Sequence, residues 1–349
     1  AHSFPTRRSS DLRHLIKPIS YRPMINTMRK YRLSIAVFLF AGFILSMAQV
    51  HVDNKILILE RFMKGGGWLE IFLISFYGAV LVSKMKDPSK TARWRTISWS
   101  VFTLVFFGQF LLGIIGFEKF LMTGELHLPV PALIITGPIY RGEVSFMTFL
   151  FISTVLLTGP AWCSHLCYFG AIDNLAAKGK SRSQGFQRRG KIKHIILLVV
   201  VLFAILFRFA GIEPLYALVG GIGIGVIGLI IIYFYSRKIN MMAHCTLFCP
   251  VGTLVMYLKH INPFRMVIDS SCTQCGLCSG SCKYDALQMK NIARGKPGST
   301  CTYCGDCLAS CHQGAIRYKL FGLSSHKSRN FYLFMTVSIH VVFLALAKI

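Results

Sequence analysis

Residues 272–282 read CTQCGLCSGSC, and residues 301–311 read CTYCGDCLASC. Both follow one spacing, Cys-x2-Cys-x2-Cys-x3-Cys. Three thiolates two residues apart cap three corners of one iron–sulfur cube only where the loop curls around it. In two-cluster ferredoxins the fourth thiolate of each run reaches the other cube. The spacing therefore predicts one [4Fe–4S] cluster on Cys272, Cys275, Cys278 and Cys311, and a second on Cys301, Cys304, Cys307 and Cys282. A zinc ribbon shares the Cys-x2-Cys unit, but zinc takes four ligands per site and has no use for a triplet repeated twice. Lys283 and His312 stand where proline ordinarily follows the fourth cysteine, and the ligand set is intact. Residues 283–300 are enough for the short strands and turns that cover cubanes. Gly276, Gly280 and Gly305 leave room for backbone amides beside cluster sulfurs. The segment 267–318 is too small to bury much apolar core, so ligation is expected to supply folding energy.

The rest of the chain has a membrane composition. Of its 349 residues 54% are hydrophobic and 15% charged, with a mean hydropathy of +0.55. Seven stretches are apolar enough to span a bilayer: 33–50, 68–82, 97–117, 144–161, 195–209, 215–235 and 331–347. Basic residues outnumber acidic ones 39 to 13. They collect between apolar segments, where they report topology and contact with anionic membrane lipid and not nucleic acid. Arg13, Lys17, Arg22, Arg29, Lys30 and Arg32 precede the first span; Lys84, Lys86, Lys90, Arg93 and Arg95 follow the second. Lys178, Lys180, Arg182, Arg188, Arg189, Lys191 and Lys193 follow the fourth. The alternate connections are sparse, with Lys55, Arg61 and Lys64, then Lys119 and Arg141, then Arg208. This bias predicts a multi-pass protein of the cytoplasmic (inner) membrane, with its N-terminus and ferredoxin segment in the cytoplasm. All twelve cysteines then share that side, as reduced metal ligands. Residues 3–12, SFPTRRSSDL, read as a translated sequencing-library adapter, so 1–12 is expected to be an artefact and the start to lie at Met24, Met28 or upstream. The chain stops at Ile349 inside an apolar stretch, and truncation is expected there.

The remaining four cysteines repeat a second pattern. Residues 161–172 read AWCSHLCYFGAI and residues 243–254 read AHCTLFCPVGTL, each following an apolar stretch. Spans three–four and five–six are thereby expected to be two copies of one helical hairpin. Residues i and i+4 share a helix face, so Cys163 and Cys167 form one pair and Cys245 and Cys249 another. Together they offer four thiolates, enough for a third cluster or a zinc at the membrane surface. Two other readings stay open, a dithiol–disulfide relay and buried thiols packed as small hydrophobes. His165 and His244 are additional candidate ligands, or interfacial residues bonded to backbone and headgroups.

Paired C-x3-C(P) motifs after membrane spans, followed by a two-cluster ferredoxin insert, resemble the NapH/NosR-type membrane polyferredoxins over residues 97–318. Tyr168 stands where that family usually has proline, while Pro250 keeps the pattern. No periplasmic flavin-binding domain of the NosR kind is visible, which places the resemblance with the shorter NapH-like form. The resemblance implies a quinol-linked electron conduit that feeds, or is fed by, partner redox proteins, with the twelve cysteines as ligands. Relatives with the same core serve copper-reducing assembly of haem–copper oxidases.

The expected fold is an all-α polytopic membrane protein, with about seven transmembrane helices in internally duplicated hairpins. It carries a small α+β bacterial-type 2[4Fe–4S] ferredoxin insert. Its parts are 13–266 (six helices and both C-x3-C motifs), 267–318 (ferredoxin-like) and 319–349 (last transmembrane helix). The expected function is electron relay between the quinone pool and a redox partner through cytoplasmic-face clusters, as a quinol-dehydrogenase-like oxidoreductase subunit. The alternative is an assembly factor or cuproreductase whose C-x3-C thiols handle Cu(I). No residue marks itself as catalytic. For a quinone, the best slot is the connection 118–143, with Glu125, His127, Pro129, Pro131, Gly137, Pro138 and Arg141. It reads first as an outer cap holding an Arg208–Glu213 pair. Gln109 and His340 read as packing hydrogen bonds within spans, and Gly221, Gly223, Gly225 and Gly228 as room for a neighbouring helix.

Overall fold

The computed structural model describes residues 22–52, 56–120, 130–144, 146–178 and 190–346. The chain runs α1 (Arg22–His51), α2 (Ile58–Phe62), α3 (Gly66–Met85), α4 (Pro88–Ile114), α5 (Leu133–Arg141), α6 (Phe146–Thr158) and α7 (Tyr168–Ala176). It continues with α8 (Ile192–Phe209), α9 (Pro214–Ile230), α10 (Arg237–Ile239), α11 (Pro250–Leu258), β1 (Phe264–Ile268), α12 (Leu277–Ser281), α13 (Met289–Ala293), β2 (Ile316–Leu320) and α14 (Ser325–Leu346). Among the described residues, seven helices are long and apolar enough to cross a membrane: Tyr31–His51, Gly66–Met85, Pro88–Ile114, Met147–Leu166, Ile192–Phe209, Pro214–Ile239 and Ser325–Leu346. The adapter-like residues 1–12, Arg13, Lys17, Lys55, Lys180, Arg182, Arg188, Arg189 and Ile349 lie outside the described residues.

Helix α4 begins at Pro88, well ahead of the apolar stretch that marks it in the sequence. Asp87 caps it, accepting from the Ser89 amide at 3.0 Å, and Pro88 takes a first-turn position where no amide is needed. Its polar opening turns are therefore helical, and they carry Thr91 and Arg95 into the interior. Helices α1, α3 and α14 pack around Val37, Leu81, Val82, Leu333 and Val337. Gly78 permits the close approach, since a Cβ there would meet Val341 at 3.0 Å and Val37 at 3.2 Å.

The two expected hairpin copies pack alike. Helix α4 lies on α7 as α8 lies on α11. Helix α7 also packs on the end of the α9 span, and α11 returns the contact to the end of α6. The copies differ in their connections. The first contains α5, which packs on α8; the second is the short turn before Glu213, the N-cap of α9. Leu133 and Val130 fill notches at Gly221 and Gly225 of α9, and His244 with Phe169 fills that at Gly228, whereas Gly223 faces open space. Glu125, His127 and Pro129 lie outside the described residues. The expected Arg208–Glu213 pair is not formed: Arg208 donates instead to the Ile139 carbonyl at 3.3 Å. That bond ties the start of the second copy's connection to α5 near its end. His340 meets Tyr77 Oη at 3.4 Å and the His165 carbonyl at 3.1 Å, a packing role. Among the described residues neither end of the buried Gln109 amide finds a partner, so the expected packing hydrogen bond is not seen there.

Strands β1 and β2 pair antiparallel, Phe264 opposite Leu320 and Ile268 opposite Ile316, and so close the base of the insert. Alternation puts Phe264, Met266, Ile268, Ile316, Tyr318 and Leu320 on the buried face. That face packs against Tyr332 of α14, which ties the insert to the last span.

Candidate metal centres

Both cysteine runs of the insert curl by one device. Gln274 and Gly276 flank Cys275 with positive φ of 55° and 76°; Tyr303 and Gly305 flank Cys304 with 56° and 81°. Left-handed residues on either side of the middle cysteine bend the loop inward. Three residues past the fourth cysteine stand Asp285 and Gly314, again at positive φ. The next amide then turns back: Ala286 N–H donates to Cys282 Sγ and Ala315 N–H to Cys311 Sγ, both at 3.3 Å. Cys272, Cys275, Cys278 and Cys311 line one cavity, site A, with Ile268 and Ile292. Cys282, Cys301, Cys304 and Cys307 line a second, site B, with Met266 and Leu287. Each fourth cysteine stands in the other run's cavity.

The C-x3-C motifs require a correction, for neither is a single helix face. Cys163 lies in one π turn (Trp162–Leu166) and Cys245 in its counterpart (His244–Phe248), and the helix stops at the second cysteine. Cys167 and Cys249 are extended, with ψ of 117° and 118°, and they stand at the N-caps of α7 and α11. Their amides donate to the carbonyls of Trp162 at 2.9 Å and His244 at 2.8 Å, five residues back. The glycine of each C-x-x-G fits against the π turn. A Cβ on Gly170 would lie 2.9 Å from the Cys163 carbonyl and 2.5 Å from Trp99; one on Gly252 would lie 2.7 Å from the Cys245 carbonyl. Gly252 N–H donates to Cys249 Sγ at 3.4 Å, and Gly170 N–H bonds Cys167 likewise.

This geometry brings Cys163, Cys167, Cys245 and Cys249 to one cavity, site C, at the ends of two spans. Lys193 and Lys259 share its wall, only 8% and 6% exposed. Neither meets a carboxylate among the described residues. Lys193 Nζ donates to Met256 Sδ at 2.9 Å, and Lys259 Nζ to the carbonyls of Ser299 and Cys301. The hydroxyls of Thr246 and Thr302 are buried in the same wall without a partner among the described residues. Buried cations and orphaned donors are costly unless an anion accepts from them. Burial pushes the Cys167 thiol up to about 12, Cys249 to about 11 and Cys245 well above the usual range. Thiolates persist there only against a cationic centre. Among the described residues no group of three or more His, Cys, Asp or Glu is arranged to hold a metal ion. The four thiols do not converge on a single point, as a lone zinc with ligands at about 2.0–2.3 Å would require. A cationic iron–sulfur core that takes one thiolate at each corner would suit four separated thiols, and the net anionic cluster so formed would accept from the buried cations and hydroxyls.

The insert is fastened over site C. Arg95 of α4 pairs with Asp306 (Nη2–Oδ2 2.5 Å, Nε–Oδ1 2.8 Å) and donates to the Ser164 carbonyl at 3.0 Å. Trp99 Nε1 donates to the Cys167 carbonyl at 2.8 Å, Tyr284 Oη to the Cys163 carbonyl at 3.1 Å, and the Met242 amide to the Lys283 carbonyl at 3.1 Å. Asp173 joins the two copies, accepting from the Cys245 amide at 3.0 Å, and burial pushes its carboxyl up to about 6. Cys301, Tyr284 and Thr302 line sites B and C alike.

Arg95 and Lys193, counted in the sequence as loop cations, are thus interior residues, and Lys259, Tyr284 and Asp173 carried no signal of their own. His165 and His244 do not line site C. His165 Nδ1 bonds Ser164 Oγ at 2.9 Å; His244 packs on Phe169, and burial lowers its pKa to about 4. No curated protein and no solved structure matches this chain. One family does: the model described as a 4Fe-4S binding domain matches residues 142–187 and again 218–261, about a quarter of the chain. Each match covers one C-x3-C motif with the span before it and the short helix after it. The domain is present twice, on the segments that meet at site C, and the chain is an iron–sulfur protein of the ferredoxin-like kind.

Proposed function

We propose that this chain is a membrane electron relay that holds three [4Fe–4S] clusters. Cys272, Cys275, Cys278 and Cys311 would ligate one at site A; Cys282, Cys301, Cys304 and Cys307 one at site B; Cys163, Cys167, Cys245 and Cys249 one at site C. A bound cubane takes up and returns single electrons. The protein holds the stations in line and keeps water out. One observation carries the reading: the twelve cysteines line three cavities, four at A, four at B and five at C, where Cys301 is shared with B. Helix α12 delivers Cys278 to site A, and Cys282, the residue that ends it, reaches site B. Tyr284 and Cys301 then belong to both B and C. Lys193 and Lys259 compensate thiolate charge at site C, and the Thr246 and Thr302 hydroxyls are placed to donate into it. Site C lies where a quinone in the bilayer is the natural membrane-side partner, in keeping with the resemblance to NapH-like polyferredoxins. The insert then faces the cytoplasm with a soluble redox partner.

Iron and acid-labile sulfide per chain, with EPR, on anaerobically purified protein test the proposal. Three cubanes give about twelve irons. About eight would leave the C-x3-C pairs to thiol or copper chemistry, and zinc without iron would end the relay reading altogether.

A further inference from the structure

Of the twelve cysteines Cys275 alone is exposed. Sites B and C are roofed by the insert and the spans, so electrons exchanged with a soluble carrier must cross at site A. The surface around that crossing has a definite chemistry. Leu277 and Met289 are both about half exposed beside Cys275, and Met289 lies against Gly276, where a Cβ would meet its sulfur at 3.3 Å. Helix α13, whose Ile292 lines site A, also presents Lys290, and Arg294 and Lys296 follow it on the exposed side.

The insert has three carboxylates, and two of them are neutralised by arginine. Asp269 pairs with Arg317 at 2.6 Å, Asp306 with Arg95, and Asp285 accepts from Gln288 at 2.5 Å. Lys290, Arg294 and Lys296 form no ion pair among the described residues. The rim of site A is therefore a small apolar contact beside a net positive charge, three cations against Asp285, which shares a groove with Lys290. Such a surface steers an oppositely charged partner and fixes its orientation, while affinity stays low enough for turnover.

We infer that the face formed by Cys275, Leu277, Met289, Lys290 and Arg294 docks a small soluble one-electron carrier through an acidic surface on that carrier. The inference rests on the relay reading. One electron passes in each encounter: the carrier is oxidised by one, the site A centre is reduced by one, and no bond forms or breaks. A basic carrier would be repelled, and a membrane-bound one would have to reach past the exposed insert.

The test uses detergent-solubilised holoprotein and a dithionite-reduced acidic plant-type ferredoxin as probe, with electron transfer followed by stopped flow. The second-order rate should fall about tenfold as salt rises from low ionic strength to a screening concentration. A double variant, Lys290→Glu with Arg294→Glu, should lose a similar factor at low salt, while Lys238→Glu on the membrane domain changes nothing. Reduction by dithionite alone, iron content and EPR should match wild type in every case. A rate indifferent to salt, or a double variant as fast as or faster than wild type, overturns the docking face. Failure of the relay reading shows separately, as missing iron or missing cluster signals before any carrier is added.

Discussion

Replacing Asp306 by Asn keeps the side-chain shape and removes the charge that faces Arg95. The guanidinium is 1% exposed and the carboxylate 12%, so solvent takes up little of the loss. Removing one partner of a buried ion pair costs about 3–5 kcal/mol, because the other charge is left uncompensated. Arg95 would keep the Ser164 carbonyl at 3.0 Å and Asn174 Oδ1 at 3.4 Å. The low end therefore applies, about 3 kcal/mol, or about a hundredfold in the ratio of docked to lifted insert. The Met242 amide reports that ratio directly, since its acceptor is the Lys283 carbonyl across the junction. Its hydrogen exchange should quicken about a hundredfold in Asp306→Asn, while amides in the middle of α3 stay unchanged. A paired apolar change, Arg95→Met with Asp306→Leu, should recover most of the protection, because no charge is then stranded. Unaltered exchange at Met242, or a paired variant worse than the single one, would refute the assignment of the pair as the clamp.

Other outcomes follow from site C. Gly252→Ala forces a methyl to within 2.7 Å of the Cys245 carbonyl. It should cost about 1–3 kcal/mol and release site C iron while sites A and B stay loaded, as read by iron analysis and EPR. Lys259→Met removes a buried cation from the wall; the site C midpoint potential should move negative in a redox titration, with site A unmoved. Tyr284→Phe deletes one hydrogen bond to the Cys163 carbonyl and should cost about 1 kcal/mol in thermal unfolding with full iron retained. Cys167→Ala should lower iron by about four per chain.

The insert was legible because its ligand spacing is local: Cys272–Cys282 and Cys301–Cys311 carry their chemistry within eleven residues each. The duplicated motif was legible by alignment, Cys163 with Cys245 and Gly170 with Gly252. Its conformation was not. A Cys-x3-Cys spacing suggests a continuous helix, whereas the glycine's close approach to the π-turn carbonyl needs a break at the second cysteine. Burial was the least legible property. Arg95 and Lys193 look like topology signals in one dimension, and only the insert folding over the span ends makes them interior. Lys259 and Tyr284 are likewise defined by long-range contact, with Cys301 and Cys163. The apolar stretches located the seven long helices; helix capping at Asp87 extended α4 beyond what hydropathy marks.

Site C draws one pair of thiols from each copy of the duplicated segment, and Cys245 is translated 82 residues after Cys163. At about 5–20 residues per second, that is a delay of roughly 4–16 s during which the first pair exists without the second. A group held by all four thiols thus enters only after the sixth span has been inserted. The insert that closes over the cavity emerges later still. The order of synthesis leaves a short interval in which site C is complete and uncovered, and a loading machinery that works on the nascent protein has that interval in which to act.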